Sequence, residues 1–174
     1  MSLTGDALGS TSDLINEARR RELELQRRKG AGWFYWVAGL SVINSLILMI
    51  GGGLSFVVGL AVTQVMDAVA MATTPGGVES GSLPIWGFLI DLLIAGGVGL
   101  VGYFATKGHG SAFVVGMVLY ALNGLVYLAF EEIMPFAFHL LALWFMWRGF
   151  AAHRELGKIA AATAMSPQVG GGPA

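Results

Sequence analysis

Residues 33–72 read WFYWVAGLSVINSLILMIGGGLSFVVGLAVTQVMDAVAMA. No Lys or Arg interrupts this stretch, and its only charge is Asp67. A run this apolar is too long for the core helix of a soluble domain. It is long enough to enter a bilayer, whose hydrocarbon core is spanned by about 20 apolar residues in a helix. Gly51-Gly52-Gly53 divides it. Whether the second half crosses the membrane or enters it only partway sets the sidedness of every later residue.

The rest of the composition agrees with a membrane protein. The chain has 174 residues, 55% hydrophobic and 12% charged, with a mean hydropathy of +0.69. Soluble domains carry about 25% charged residues. A single helical membrane bundle is expected, with no second folded domain. The net charge of −1 offers no basic field for nucleic acid. With no cysteine, disulfides, thiolate metal sites and cysteine nucleophiles are excluded. Many of the 26 glycines fall inside apolar runs, without a Gly-X-Y period, where small residues let helix backbones approach.

Outward towards the N-terminus, residues 1–9 are expected to lack regular structure. Ser10 to Asp13 offers helix N-caps, and a charged amphipathic helix is predicted from about 13 to 29. Leu14, Ala18 and Leu25 recur at helical spacing, and Glu17–Arg21 and Glu24–Arg28 form i,i+4 pairs of favourable orientation. Arg27, Arg28 and Lys29 end it at the lipid surface. By the positive-inside rule they put residues 1–32 in the cytoplasm of a plasma or inner membrane. More than thirty residues precede the apolar run and no small-residue cleavage site follows it, unlike a secretory signal.

The bundle is expected over 33–150, in five apolar helices at 33–50, 54–72, 85–106, 111–130 and 136–150. The last is expected to run on as a cytoplasmic extension, ending in a structureless tail within 151–174. Trp33 to Trp36 form an interfacial aromatic belt. Small or polar residues recur every four positions: Ser55, Gly59, Thr63, Asp67; Gly87, Asp91, Ala95, Gly99; Ala112, Gly116, Tyr120, Gly124. Residues 73–84 read as loop, and Lys107 to Gly110 as a tight turn.

Charge decides between topologies. If all five runs cross, Lys107, Arg148, Arg154 and Lys158 fall outside and Glu131 and Glu132 inside, against the positive-inside rule. If the 54–72 helix only enters, as a re-entrant or partial limb, every basic residue becomes cytoplasmic. A third arrangement lays the last helix at the interface but leaves Lys107 outside. The expected fold is therefore an all-α polytopic membrane protein with four transmembrane helices plus one re-entrant or partial helix. The alternative is five spans.

That topology puts Asp91 about 9 Å and His139 about 5 Å from the outer surface, at 1.5 Å per residue. Asp67, Glu131 and Glu132 share the same half. Ionisable groups at such depths are costly and mark candidate proton or ion sites. His139 could also serve a metal or a haem-type ring. A lone histidine without thiolates is a poor metal set, so no metal or other cofactor is expected. Asn44 and Asn123 lie near mid-membrane and are expected to make interhelical hydrogen bonds. No serine-hydrolase, HExxH or phosphate-loop motif is present, so no catalytic residues and no enzyme are expected. Two functions remain. One is a non-enzymatic subunit, scaffold or assembly factor that packs through Gly-rich faces in the bilayer, as a homo-oligomer or in a membrane complex. The other is a small oligomeric proton- or ion-coupled transporter or channel.

Overall fold

The structure is a computed structural model that describes residues 3–51, 59–77 and 82–165, with side chains from residue 13 onwards. Five helices organise them: α1 (Leu3–Met49), α2 (Ala61–Thr73), α3 (Ile85–Thr106), α4 (Gly110–Ala129) and α5 (Ile133–Met165). No strand occurs among the described residues. α1, α3, α4 and α5 are long and apolar enough to cross a membrane. α2 has 13 residues, about 20 Å at the helical rise and shorter than the roughly 30 Å hydrocarbon core.

α1 is a single helix of 47 residues. The expected gap between an N-terminal helix and a first membrane helix does not exist, and residues 3–9 are helical rather than irregular. Glycine in a helix interior costs about 1 kcal/mol, yet Gly30 sits at a helix crossing. A Cβ there would lie 2.4 Å from the Cα of Gly149 on α5. Close backbone approach offsets the weak propensity. The expected Glu17–Arg21 ion pair forms, whereas no Glu24–Arg28 pair occurs among the described residues. The expected helix over 54–72 is described only from Ala61 onward. Residues 52–58 and 78–81, and the tail from 166, lie outside the described residues.

α5 begins at Ile133 rather than Phe136, because Pro135 falls in its first turn. There the missing proline N–H would have had no intrahelical partner anyway. α3 and α4 both end in Schellman turns. His109 N–H donates to Phe104 O (3.1 Å) and Gly108 N–H to Ala105 O (3.1 Å), with Gly108 at φ +91°. After α4, Glu132 N–H donates to Tyr127 O (2.9 Å) and Glu131 N–H to Leu128 O (3.1 Å). Here a non-glycine, Glu131, takes the left-handed position at φ +60°.

α1 runs antiparallel to both α3 and α5. Leu83 N–H, just before α3, donates to Leu48 O (3.1 Å), and Gly102 packs on Phe34 and Tyr35. Trp33 stacks on Phe145 at 4.7 Å, and further out Arg20 Nη2 donates to Thr163 Oγ1 (3.4 Å). α1 and α5 therefore continue past the bundle together as a two-helix stalk. Arg27 lies against Gly108 in the α3–α4 turn. In consequence all ten Lys and Arg residues gather at one end of the molecule. Glu131, Glu132 and the chain before α3 lie at the other.

The interior divides the same way. Towards the basic end the core is apolar, built from Phe34, Phe113, Met146, Val37 and Ala142. Gly116 gives the Phe34 ring its space, since a Cβ there would meet the ring at 2.5 Å. Towards the acidic end lie the eight buried polar residues: Ser41, Asn44, Ser45, Thr63, Asp67, Asp91, Asn123 and His139. That is the half which α2 enters. The four-residue stripes do bury, but a repeat of four drifts against the 3.6-residue turn. Hence α3 buries Gly87, Asp91 and Ala95, then steps to Gly102 and Ala105 rather than to Gly99.

Candidate functional site: the start of α2 and a buried carboxyl pair

The first turn of a helix has backbone N–H groups without intrahelical partners. α2 starts among buried residues, Leu60, Ala61 and Thr63, so these groups need partners from the protein. Its N-cap, Leu60, has no side-chain cap of its own. The caps arrive from other helices. Ser41 of α1 accepts from Leu60 N–H (2.9 Å) while its hydroxyl donates to Val37 O (2.9 Å). Asn123 of α4 accepts from Val62 N–H through Oδ1 (3.0 Å). Tyr127 donates its hydroxyl to Gly59 O (3.2 Å), and Thr63 to Leu60 O (2.7 Å). The Asn44 amide lies against Gly59, where a Cβ would be 2.5 Å from Nδ2. Both mid-span asparagines thus meet the start of α2. From there α2 runs outward to Thr74, whose hydroxyl accepts from Trp86 Nε1 at the head of α3 (3.2 Å).

His139 belongs to this network. Because Asn123 Oδ1 takes the Val62 N–H, its Nδ2 faces His139 Nε2 at 2.8 Å. An amide nitrogen only donates, so Nε2 accepts and the ring proton resides on Nδ1. Nδ1 lies 2.9 Å from Pro135 O and donates to it. The relay Val62 N–H to Asn123, Asn123 to His139, His139 to Pro135 O is then complete with a neutral imidazole. The ring stacks on Tyr120 at 4.3 Å and 15°, with Tyr127 tilted at 5.1 Å. Gly124 makes room for it, since a Cβ there would be 3.1 Å from that of His139. With both ring nitrogens engaged, a metal or haem iron would have to displace Asn123 or break the bond to Pro135. Among the described residues no three His, Asp or Glu side chains converge as a metal set.

Asp67 and Asp91 are different. They are 6% and 1% exposed and lie close enough for their carboxyl groups to interact. Thr63, Asp67 and Ala70 form the buried face of α2, and Gly87 lets α3 close on Ala70. Thus the capping of α2 one turn earlier carries Asp67 onto Asp91. Among the described residues no donor reaches Asp67 Oδ1 or either carboxyl oxygen of Asp91. Two buried carboxyl groups side by side are a costly arrangement for a membrane bundle.

Glu131 and Glu132 do not join this group. Both are exposed in the α4–α5 turn. His109 is exposed at the basic end, and His153 is half-buried between Phe113 and Phe150. Ser41, Tyr120, Tyr127 and Thr63, which complete the network, were not singled out from the sequence as site residues. Only the four-residue stripes, which include Thr63 and Tyr120, hinted at two of them. An apolar cavity of about 560 Å³ opens between α3 and α4, reaching from Phe34 and Val101 to Leu60 and Asn123 at the start of α2. No protein-family model, curated protein or solved structure matches the chain. The fold alone defines its class, a multi-helix bundle with four apolar helices of membrane-crossing length.

Proposed function

We propose that this protein is a small proton- or cation-coupled membrane transporter or channel, working as a homo-oligomer, with Asp67 and Asp91 as its ion site. One observation carries the reading. Among the described residues of the acidic half, Asp67 Oδ1, both Asp91 oxygens and the Tyr120 hydroxyl are buried without hydrogen-bond partners, while Ser41, Asn123 and His139 around α2 are bonded, and only the carboxyl pair can carry charge. Burying such a pair in a membrane bundle is expensive, and selection tolerates it where it works.

A topology goes with this reading. The N-terminus and the stalk lie in the cytoplasm of the plasma or inner membrane, α1, α3, α4 and α5 cross, and α2 is a re-entrant half-helix from the outer face. Its length, its caps from mid-span residues and the gathering of all basic residues at one end support this. The single bundle offers an apolar lateral cavity rather than a polar channel. A conduction path therefore requires neighbouring copies.

The experiment is reconstitution in liposomes carrying an interior pH dye, with proton and sodium gradients imposed in turn. Flux by the wild type, abolished in Asp91→Asn and Asp67→Asn, is expected. Wild-type liposomes that pass neither ion, or flux that survives both substitutions, overturn the reading. A second reading, a non-enzymatic subunit, scaffold or assembly factor, draws support from Gly32, Gly39, Gly96 and Gly97. These glycines face open space, with nothing within 4 Å of a Cβ, and could seat a helix of another chain. A native mass showing stable one-to-one hetero-complexes, without flux, would favour it.

A further inference from the structure

The stalk holds a second site, at the opposite end from the carboxyl pair. Between α1 and α5 lies a cleft of about 310 Å³ lined by Arg20, Glu24, Arg27, His153, Leu156 and Gly157. It exists because Gly157 leaves the α5 wall hollow, with nothing within 4 Å of where its Cβ would be. Two cations border it. The ion pairs among the described residues, Glu17–Arg21 and Glu155–Lys158, involve neither of them. Glu24 on the rim is not within ion-pair distance of either arginine.

Arg27 is held rather than loose. Its side chain lies across Gly108 in the α3–α4 turn, and its Nε is buried without a hydrogen-bond partner. Depth identifies what could meet it. Arg27 stands six residues before Trp33, about 9 Å to the basic side of the aromatic belt at the helical rise. That is the layer of lipid headgroups. Arg28, Lys29, Lys107 and Arg148 ring the same level, Arg148 with its guanidinium 5.1 Å from the Trp144 ring centroid. A guanidinium fixed at headgroup depth beside a hollow, lacking an internal anion, suits a phosphate oxygen.

We propose that the Arg20–Arg27–His153 cleft binds the phosphate of an anionic phospholipid headgroup. Arg27 contacts the phosphate and the hollow at Gly157 receives the headgroup, while Arg20, two turns further out with its Nη2 donating to Thr163 Oγ1 (3.4 Å), adds charge at the outer rim. The bound lipid then ties the stalk to the inner leaflet and clamps α1 to α5. This inference is independent of any ion transport.

The test uses the full-length protein in a mild detergent, titrated with phosphatidylglycerol, phosphatidylcholine or inorganic phosphate. Native mass spectrometry reads the retained lipid. The wild type is expected to retain one phosphatidylglycerol in preference to phosphatidylcholine. Arg27→Gln weakens retention about fivefold, the worth of one cation at a membrane surface, and Arg20→Gln, further out, weakens it less. Arg28→Gln removes the same charge at the same level, away from the cleft, and changes retention less than twofold. Gly157→Leu fills the hollow without altering charge at an exposed helical position, where folding is undisturbed, and also abolishes the preference. Equal losses in Arg28→Gln and Arg27→Gln would reduce the effect to a general basic field and overturn the site. So would retention unchanged in Gly157→Leu, or no preference between the lipids. Competition by millimolar inorganic phosphate would reassign the site to the free anion and overturn the lipid.

Discussion

The relay through Asn123 can be measured as a coupling. Asn123→Leu keeps the side-chain volume but strips Val62 N–H of its acceptor and His139 Nε2 of its donor. A buried group left without a partner costs about 1–3 kcal/mol, so this substitution should destabilise by roughly 2–4 kcal/mol. His139→Phe retains a ring against Tyr120 but leaves Asn123 Nδ2 without an acceptor, at about 1–3 kcal/mol. In the double variant the two orphaned partners are both gone. The cost should then fall short of the sum by the worth of one intramembrane hydrogen bond, about 0.6–1.7 kcal/mol. The assay is reversible unfolding of the four proteins in mixed micelles over a rising fraction of denaturing detergent, with the loss of helix read by circular dichroism. Additivity within about 0.3 kcal/mol, the behaviour of independent sites, would falsify the relay and with it the neutral tautomer assigned to His139.

Adjacent glycines of α1 should respond with opposite signs. Gly30→Ala forces a methyl group onto the Gly149 backbone at 2.4 Å and should cost about 1–3 kcal/mol, whereas Gly32→Ala meets nothing and should gain up to about 1 kcal/mol from helix propensity. Unfolding midpoints of the two variants settle it, and a loss at Gly32 would point instead to a helix of another chain on that face. Asp91→Asn brings an amide donor to a pair that lacks one, so thermal stability should hold or rise even as ion flux disappears; a lower melting temperature would make the pair structural. Burial first, and the Arg27 charge second, hold the His153 pKa below the usual 6.5. The folded protein therefore takes up that proton less readily than the unfolded chain, and stability should be full above about 6.5 and decline as pH falls towards the folded value. His153→Gln should flatten the decline in a pH series of melting temperatures. Finally, Glu131→Cys introduces a single thiol into a cysteine-free chain, and a membrane-impermeant maleimide should label it from outside intact cells, while Lys107→Cys reacts only after lysis. The reverse pattern would mean that the bundle sits inverted, with the stalk outside.

Much of the architecture is readable from hydropathy and charge, because bilayer thickness sets helix length and basic residues cluster on one side. The runs at 85–106 and 111–130 became α3 and α4 with their ends displaced by one residue or not at all. What escaped the sequence depends on contacts between distant residues. The continuity of α1 through Gly30 is supported by Gly149, more than a hundred residues on, which supplies the close approach. The caps of α2 come from Ser41, Asn123 and Tyr127, and no local signal near Leu60 announces them. Depth alone groups Asp67, Asp91, His139, Glu131 and Glu132. Which of them meet is decided by helix rotation, which turns His139 towards Asn123 and leaves the two glutamates in water at a turn. Glu131 occupies a left-handed position that pattern reading assigns to glycine. Likewise the pairing of Arg20 and Arg27 with His153 follows from the antiparallel register of α1 and α5, set by Gly30 on Gly149.

The division between satisfied and unsatisfied polar groups says which residues hold the fold and which are free to act. Ser41, Asn123, Tyr127 and His139 have their hydrogen-bonding capacity committed to the start of α2 and to each other. Moving any of them unseats a helix whose buried first turn depends on them for partners. Their work is to place α2, and that placement is what puts Asp67, one turn past Thr63, against Asp91. The carboxyl pair stabilises nothing visible in return, since Asp67 Oδ1 and both Asp91 oxygens lack donors. A bundle that needed only to pack could replace the pair with leucine or asparagine at no cost and some gain. The network therefore carries the stability, and the pair is left for the proposed ion chemistry. Substitutions in the first should lower stability and flux together, while substitutions in the second should lower flux alone.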